Sequence, residues 1–262
     1  MRGDILKKAL SNSYTWLVFA FLYAPIIVLI IFSFNSDQSR TVWSGFSLEW
    51  YGKLFQREDI LRSLYITLIV AAIASVFATV IGTAAAIGIS NMRKLPKRMV
   101  MSVNNIPIIN PEIVTGVSLR LLYVFVFNTL GIAFQLGFTT LLLSHITFNI
   151  PYVILSVAPK LRQMDKHLYE AAQDLGCGPV QAFFKAALPE IMPGIITGAI
   201  MAFTLSLDDF VISYFTSETE QVLSVTIFAM TRKRVTPTIN ALSTLLFTAV
   251  MILLVIINIR QA

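Results

Sequence analysis

Apolar runs long enough to cross a lipid bilayer recur along this chain, at residues 14–34, 64–90, 100–127, 136–158, 191–215 and 241–259. As a helix, about 20 such residues span roughly 30 Å of hydrocarbon, and within lipid every backbone N–H and C=O has to be satisfied inside the segment. The pattern predicts an all-α polytopic membrane protein with six transmembrane helices. Of the 262 residues, 56% are hydrophobic and 13% charged, with a mean hydropathy of +0.75, against about 45–50% apolar in a soluble domain. So many spans leave little chain for a soluble catalytic domain. We expect a single transmembrane domain over 1–262, with a first helix at 14–34 and a five-helix core over about 62–259.

Composition removes several functions. Cys177 is the single cysteine, so no intramolecular disulfide or cysteine-cluster metal site can form, and His145 and His167 are too few for a zinc constellation. We therefore expect no metal, no cofactor and no catalytic residue set; a membrane-embedded enzyme would need a nucleophile–base pair or a metal cluster in its helices. A net charge of +6 could speak for nucleic acid, but basic residues in membrane proteins mark cytoplasmic loops, and no nucleic-acid partner is expected.

The basic start with Arg2, Lys7 and Lys8 also opens secretory signals, yet a signal's apolar stretch is only about 7–15 residues. The first run is read as an uncleaved helix. Arg93, Lys94, Lys97 and Arg98 separate the second and third runs, and Lys160, Arg162, Lys166 and Lys185 the fourth and fifth. These regions alternate correctly to be cytoplasmic, which puts both termini inside. Arg232-Lys233-Arg234 falls in an outer segment against the rule. The outer stretch Phe46-Ser47-Leu48-Glu49-Trp50-Tyr51 reads either as an interfacial helix that receives a partner or as an ordinary aromatic belt.

The cytoplasmic segment 159–189 is far longer than the usual connection of about 4–6 residues. Leu161, Met164, Leu168, Ala172 and Leu175 recur at helical spacing with charged residues on other faces, predicting a short amphipathic helix. Gly176-Cys177-Gly178-Pro179 should stop it, and a second short helix should run to Leu188-Pro189. The segment reads Glu170-Ala171-Ala172, three residues, Gly176, nine residues, Ala186, one residue, Leu188-Pro189. This resembles the EAA signature of ABC importer permeases, which has isoleucine where this chain has Ala186.

The resemblance implies the type I ABC importer permease fold and a helix that docks on a cytoplasmic ABC ATPase, present in two copies. Glu170, Ala171, Ala172, Gly176, Leu188 and Pro189 would form the coupling element, with Glu170 near a basic residue of the ATPase. Adjacent alanines suit a helix that lies deep in a partner's cleft; the alternative is that the loop packs only on its own membrane domain. The chain carries no Gly-x-x-x-x-Gly-Lys-Ser/Thr phosphate loop, so ATP hydrolysis is expected of the partner and not of this subunit.

Tyr23-Ala24-Pro25-Ile26-Ile27, Phe34-Asn35-Ser36, Pro111-Glu112-Ile113-Val114, Ser144-His145-Ile146-Thr147-Phe148 and Ser206-Leu207-Asp208-Asp209-Phe210 are similar to the PotC-type permease subunits of spermidine/putrescine importers. That implies polyamine translocation by alternating access in a bacterial inner membrane. The implied partners are a second permease subunit, an extracytoplasmic substrate-binding protein and membrane lipid. Another small solute, such as a metal ion or phosphonate, is the alternative cargo, and an ATP-independent channel the alternative class.

Glu112, Asp208 and Asp209 interrupt apolar runs, where each charge costs about 2.5–3.5 kcal/mol on insertion scales. Spaced carboxylates with aromatic walls, for which Tyr123, Phe203 and Tyr214 are candidates, would complement a chain of ammonium groups. Glu112, Asp208 and Asp209 are the candidate substrate-path residues; successive helical residues diverge by about 100°, so of the adjacent pair Asp208 is favoured for the path and Asp209 for pairing, the alternative being that either binds a neighbouring helix or sits protonated. Glu112 could instead bond backbone freed by Pro107 and Pro111. His145 and Asn149 share a helix face before Pro151 and either line the path or bond between helices. Arg120 is expected to snorkel to the outer surface.

Overall fold

A computed structural model describes residues 2–38, 42–131, 135–233 and 237–261; within these, the side chains of 2–12, 166, 233, 249–250, 253–254 and 256–261 lie outside the described set. The described residues are almost entirely helical: α1 Arg2–Ser33, α2 Glu49–Phe55, α3 Glu58–Ser90, α4 Lys94–Ile109, α5 Glu112–Leu130, α6 Phe138–Gln163, α7 Lys166–Asp174, α8 Pro179–Ala182, a π-helical turn Phe183–Ala187, α9 Leu188–Asp208, α10 Val211–Thr216, α11 Leu223–Lys233 and α12 Pro237–Gln261. Five helical stretches are long and apolar enough to cross a membrane, Ser13–Ser33, Glu58–Ser90, Glu112–Leu130, Phe138–Gln163 and Pro179–Asp208. The sixth apolar run lies in α12, 25 residues long.

Four expected boundaries move. The fifth run, expected as one helix over 191–215, ends as α9 at Asp208 and restarts as α10 at Val211. The third run is not one helix: it breaks at Asn110-Pro111, both extended, into α4 and α5, because the residue before a proline is pushed out of the helical region. The amphipathic helix expected from Leu161 onward is interrupted at Met164 and Asp165. The second short helix does not stop at Leu188-Pro189 but runs on through α9. A proline ring clashes with the carbonyl four residues back; the π turn lengthens the local ladder, with Leu188 N–H reaching Phe183 O, and so admits Pro189 without a stop.

The chain divides into two compact units, Met1–Leu61 with Ile227–Ala262, and Arg62–Thr226. In the first, α1 packs against α12 and α12 against α2. The segment after α1 is tied by Asn35, whose Oδ1 accepts Ser44 N–H at 2.8 Å and whose carbonyl accepts the Trp50 indole N–H at 2.7 Å. The helix in this stretch is thus Glu49–Phe55, with Trp50 buried as its anchor. Arg232 stacks over Phe228; Arg234 lies outside the described residues.

The second unit is built on small residues. α9 presents Gly194, Gly198, Ala202 and Ser206, all buried and four apart, to α6. A Cβ at Gly194 would meet Lys160 Cγ at 2.8 Å, and one at Gly198 would meet Val153 Cα at 3.3 Å. On α3, Gly82 has the same function, since its Cβ would meet Val153 Cβ at 2.7 Å. Lipid tails are as apolar as leucine, so helices associate by close backbone approach rather than by a hydrophobic drive, and this stripe makes the approach possible. Ala78, Ala86, Val153, Val157 and Ile191 fill the seam.

Candidate functional site

The loop carrying the EAA-like residues folds into a self-locked unit. Asp165 caps α7 by accepting the His167 N–H at 3.0 Å. At the other end Cys177 N–H reaches Ala172 O and Gly176 N–H reaches Gln173 O, with Gly176 at φ +90°. That pair of bonds closes a Schellman turn, whose left-handed position favours glycine. The Tyr169 hydroxyl then donates to Pro179 O at 3.3 Å, fastening α7 to α8. Glu170 and Ala171 are exposed and Ala172 is half-buried; among the described residues the Glu170 carboxylate is met by exposed His167, 3.2 Å away. Beside them Leu168, Leu175, Val180 and Phe184 are exposed, Leu175 to 87%. Leu188 and Pro189 lie after the π turn that contains Ala186.

The three carboxylates that interrupt apolar runs occupy different settings. Glu112 opens α5, is exposed, and accepts no hydrogen bond from a described residue. Asp208 ends α9, also exposed and unheld by a hydrogen bond from a described residue. Asp209 is buried at 8% exposure. Its Oδ2 accepts Ser213 N–H and Ser213 Oγ–H, each at 2.7 Å, and its Oδ1 accepts Ile212 N–H at 3.2 Å. These are the otherwise orphan donors of α10's first turn, and a negative charge is favoured there.

His145 Nε2 lies 2.9 Å from Ser213 Oγ and 3.6 Å from Asp209 Oδ2, and Asn149 Nδ2 donates to Ser206 Oγ at 2.7 Å. Both residues therefore bond between helices. Arg120 reaches Phe215 O at 3.3 Å and forms an ion pair with Glu218. The Tyr123 hydroxyl bonds Ser144 Oγ at 2.9 Å, Phe203 is half-buried, and Tyr214, 46% exposed, packs its ring against Phe210 and Phe215. An open groove of about 270 Å³ lies beside the α4–α5 break, lined by Ile106, Pro107, Asn110, Val114, Ser118 and Phe148 among others, with no charged side chain in its wall. Nothing in the sequence marks Ser213 as a polar partner, and Ser206, although part of the motif Ser206-Leu207-Asp208-Asp209-Phe210 and on the four-residue repeat of Gly194 and Gly198, is not marked there as a partner of Asn149.

Residues 78–261 match the family described as binding-protein-dependent transport system inner membrane component. The chain is 40% identical over 234 residues to the putrescine transport system permease protein PotI of Escherichia coli, covering 88% of this chain and 83% of that protein. It is 37% identical over 248 residues to the spermidine/putrescine transport system permease protein PotC of Haemophilus influenzae, covering 94% of each. Its fold is that of a chain in a bacterial ABC transporter for alginate import, with a TM-score of 0.76 at 12% identity over 98% of this chain and 97% of that one. A chain of the alginate transporter in complex with its pentasaccharide-bound periplasmic protein gives 0.73 at 19% identity, over 98% and 92%. Membrane-length helices, the type I permease fold and a family match over residues 78–261 agree: the chain belongs to the inner membrane components of binding-protein-dependent transport systems.

Proposed function

We propose that this chain is one of two permease subunits of an ATP-driven importer of polyamines, spermidine or putrescine, and that it works by alternating access. The observation that carries the cargo assignment is identity of 37–40% to polyamine permeases across most of the chain. It is supported by the exposed, unheld carboxylates Glu112 and Asp208, because an ammonium chain supplies the countercharge that such groups require in a membrane. ATP is hydrolysed by two copies of a cytoplasmic ATPase, which the self-locked loop around Glu170 engages. An extracytoplasmic binding protein delivers the cargo to the outer face. The reconstituted complex tests this directly. Binding protein loaded with spermidine or putrescine should raise its ATPase rate several-fold, and stimulation confined to a non-cationic ligand would remove the polyamine assignment.

In this reading both termini and the loops 93–98 and 160–185 are cytoplasmic, and the segment 37–59 is outside. With Cys177 replaced by Ser, a cysteine at Ser44 should react with a membrane-impermeant maleimide in intact cells, and one at Pro96 only after permeabilisation. Labelling of position 96 from outside would reverse the orientation.

A further inference from the structure

The fifth span is broken at Asp209, and nothing in its sequence forces the break: from Ala199 to Thr216 there is neither proline nor glycine. Kinks of this kind normally have such a residue as their cause. Here α9 ends at Asp208, Asp209 turns extended at φ −63°, ψ 126°, and α10 restarts at Val211. The Asp209 carboxylate competes with the helix by collecting the first-turn donors of α10, as aspartate does wherever its side chain offers the backbone an alternative partner.

The surroundings fix that turn. A carboxylate only accepts and a serine hydroxyl has a single proton. Since Ser213 Oγ–H goes to Asp209, His145 Nε2–H donates to Ser213 Oγ. The Asp209 carbonyl accepts Ser224 Oγ–H at 2.6 Å from α11, and Thr140 Oγ1 of α6 donates to Thr216 O at 2.7 Å at the far end of α10. Against α5, a Cβ on Gly116 would lie 3.1 Å from the Phe215 ring, so α10 is seated with no slack on that side either. The consequence falls on the neighbouring residue: the break makes Asp208 the last residue of α9, so its exposed carboxylate stands at a helix end and not inside a continuous span.

We infer that Asp209, Ser213 and His145 form a polar clamp that interrupts the fifth span and thereby positions Asp208 on the exposed side. They are positioning residues, and Asp209 does not itself meet the cargo. This rests on the reading of Asp208 as a cargo acid.

The test is uptake of radiolabelled spermidine per ATP hydrolysed, in proteoliposomes holding the complete complex and loaded binding protein. Ser213→Ala and Asp208→Asn should each lower that ratio by about three- to tenfold, and the double variant should be no worse than Asp208→Asn alone, because coupled residues are not additive. His145→Gln keeps an N–H donor and should stay near wild type, whereas His145→Leu should fall as Ser213→Ala does. Additive losses in the double variant, a Ser213→Ala complex that transports like wild type, or equal losses in the two His145 variants would each overturn the clamp while leaving the cargo role of Asp208 intact. A silent Asp208→Asn would remove that role and the positioning claim with it. If Ser213→Ala fails to assemble, the His145 pair decides.

Discussion

Glu170→Lys should leave the complex assembled and abolish ATP-driven uptake, with a loss of about a hundredfold or more, the scale expected when a charge pair at an interface is reversed. Within the chain itself the change costs little. Glutamate and lysine have nearly equal helix propensity, and the contact that the substitution removes, with His167, is exposed and of a kind that contributes about 0–1 kcal/mol at most. A large effect must therefore come from outside the chain. The same loop leaves Leu168, Leu175, Val180 and Phe184 exposed, apolar side chains of the kind that an interaction surface covers. The measurement is uptake and ATPase activity in one preparation, with co-purification of the ATPase as the assembly check. Uptake and ATPase stimulation at wild-type levels would show that the helix packs on nothing that needs Glu170.

Glu112→Gln and Asp208→Asn should each reduce spermidine uptake by about tenfold, since the attraction between an ammonium and a partly desolvated carboxylate is several kcal/mol and much of it offsets desolvation. The amides keep size and helix geometry, so only charge changes. Neither carboxylate is engaged by a hydrogen bond from a described residue, and their neutralisation breaks no internal bond of that kind. Asp209 differs in kind. Its three accepted bonds mean that Asp209→Asn would turn an amide N–H₂ toward backbone donors, and the result would report on folding of the α9–α10 break as much as on cargo.

Most of the architecture was legible because apolar length is a one-dimensional signal. The spans at 14–34 and 64–90 emerge as α1 and α3, and Gly176 ends α7 as its spacing predicts. What stayed hidden depends on how helices are joined. Asn110-Pro111 divides the third run although its hydropathy is continuous, and Pro189 fails to stop a helix because a π turn absorbs it. Neither outcome is written in composition. At the site, Asp208 is exposed and Asp209 is buried, a difference that adjacency in sequence leads one to expect, but Ser213, Ser206 and Ser224 carry no mark of being partners. A serine in an apolar run is indistinguishable from a packing residue until the facing helix is known. The α9 stripe is the opposite case: Gly194, Gly198, Ala202 and Ser206 stand at the four-residue spacing of close helix packing, a signal legible in the sequence alone.

The central claim, that this chain carries polyamines inward at the expense of ATP hydrolysed by a partner, is tested most directly by uptake of radiolabelled spermidine into proteoliposomes. The vesicles contain the complete complex, ATP on the face that carries the ATPase and loaded binding protein on the other. Accumulation above the external concentration, dependent on ATP and competed by putrescine, is the result expected. Equilibration to the external level without ATP, or ATP-dependent accumulation of another solute with spermidine excluded, would contradict it.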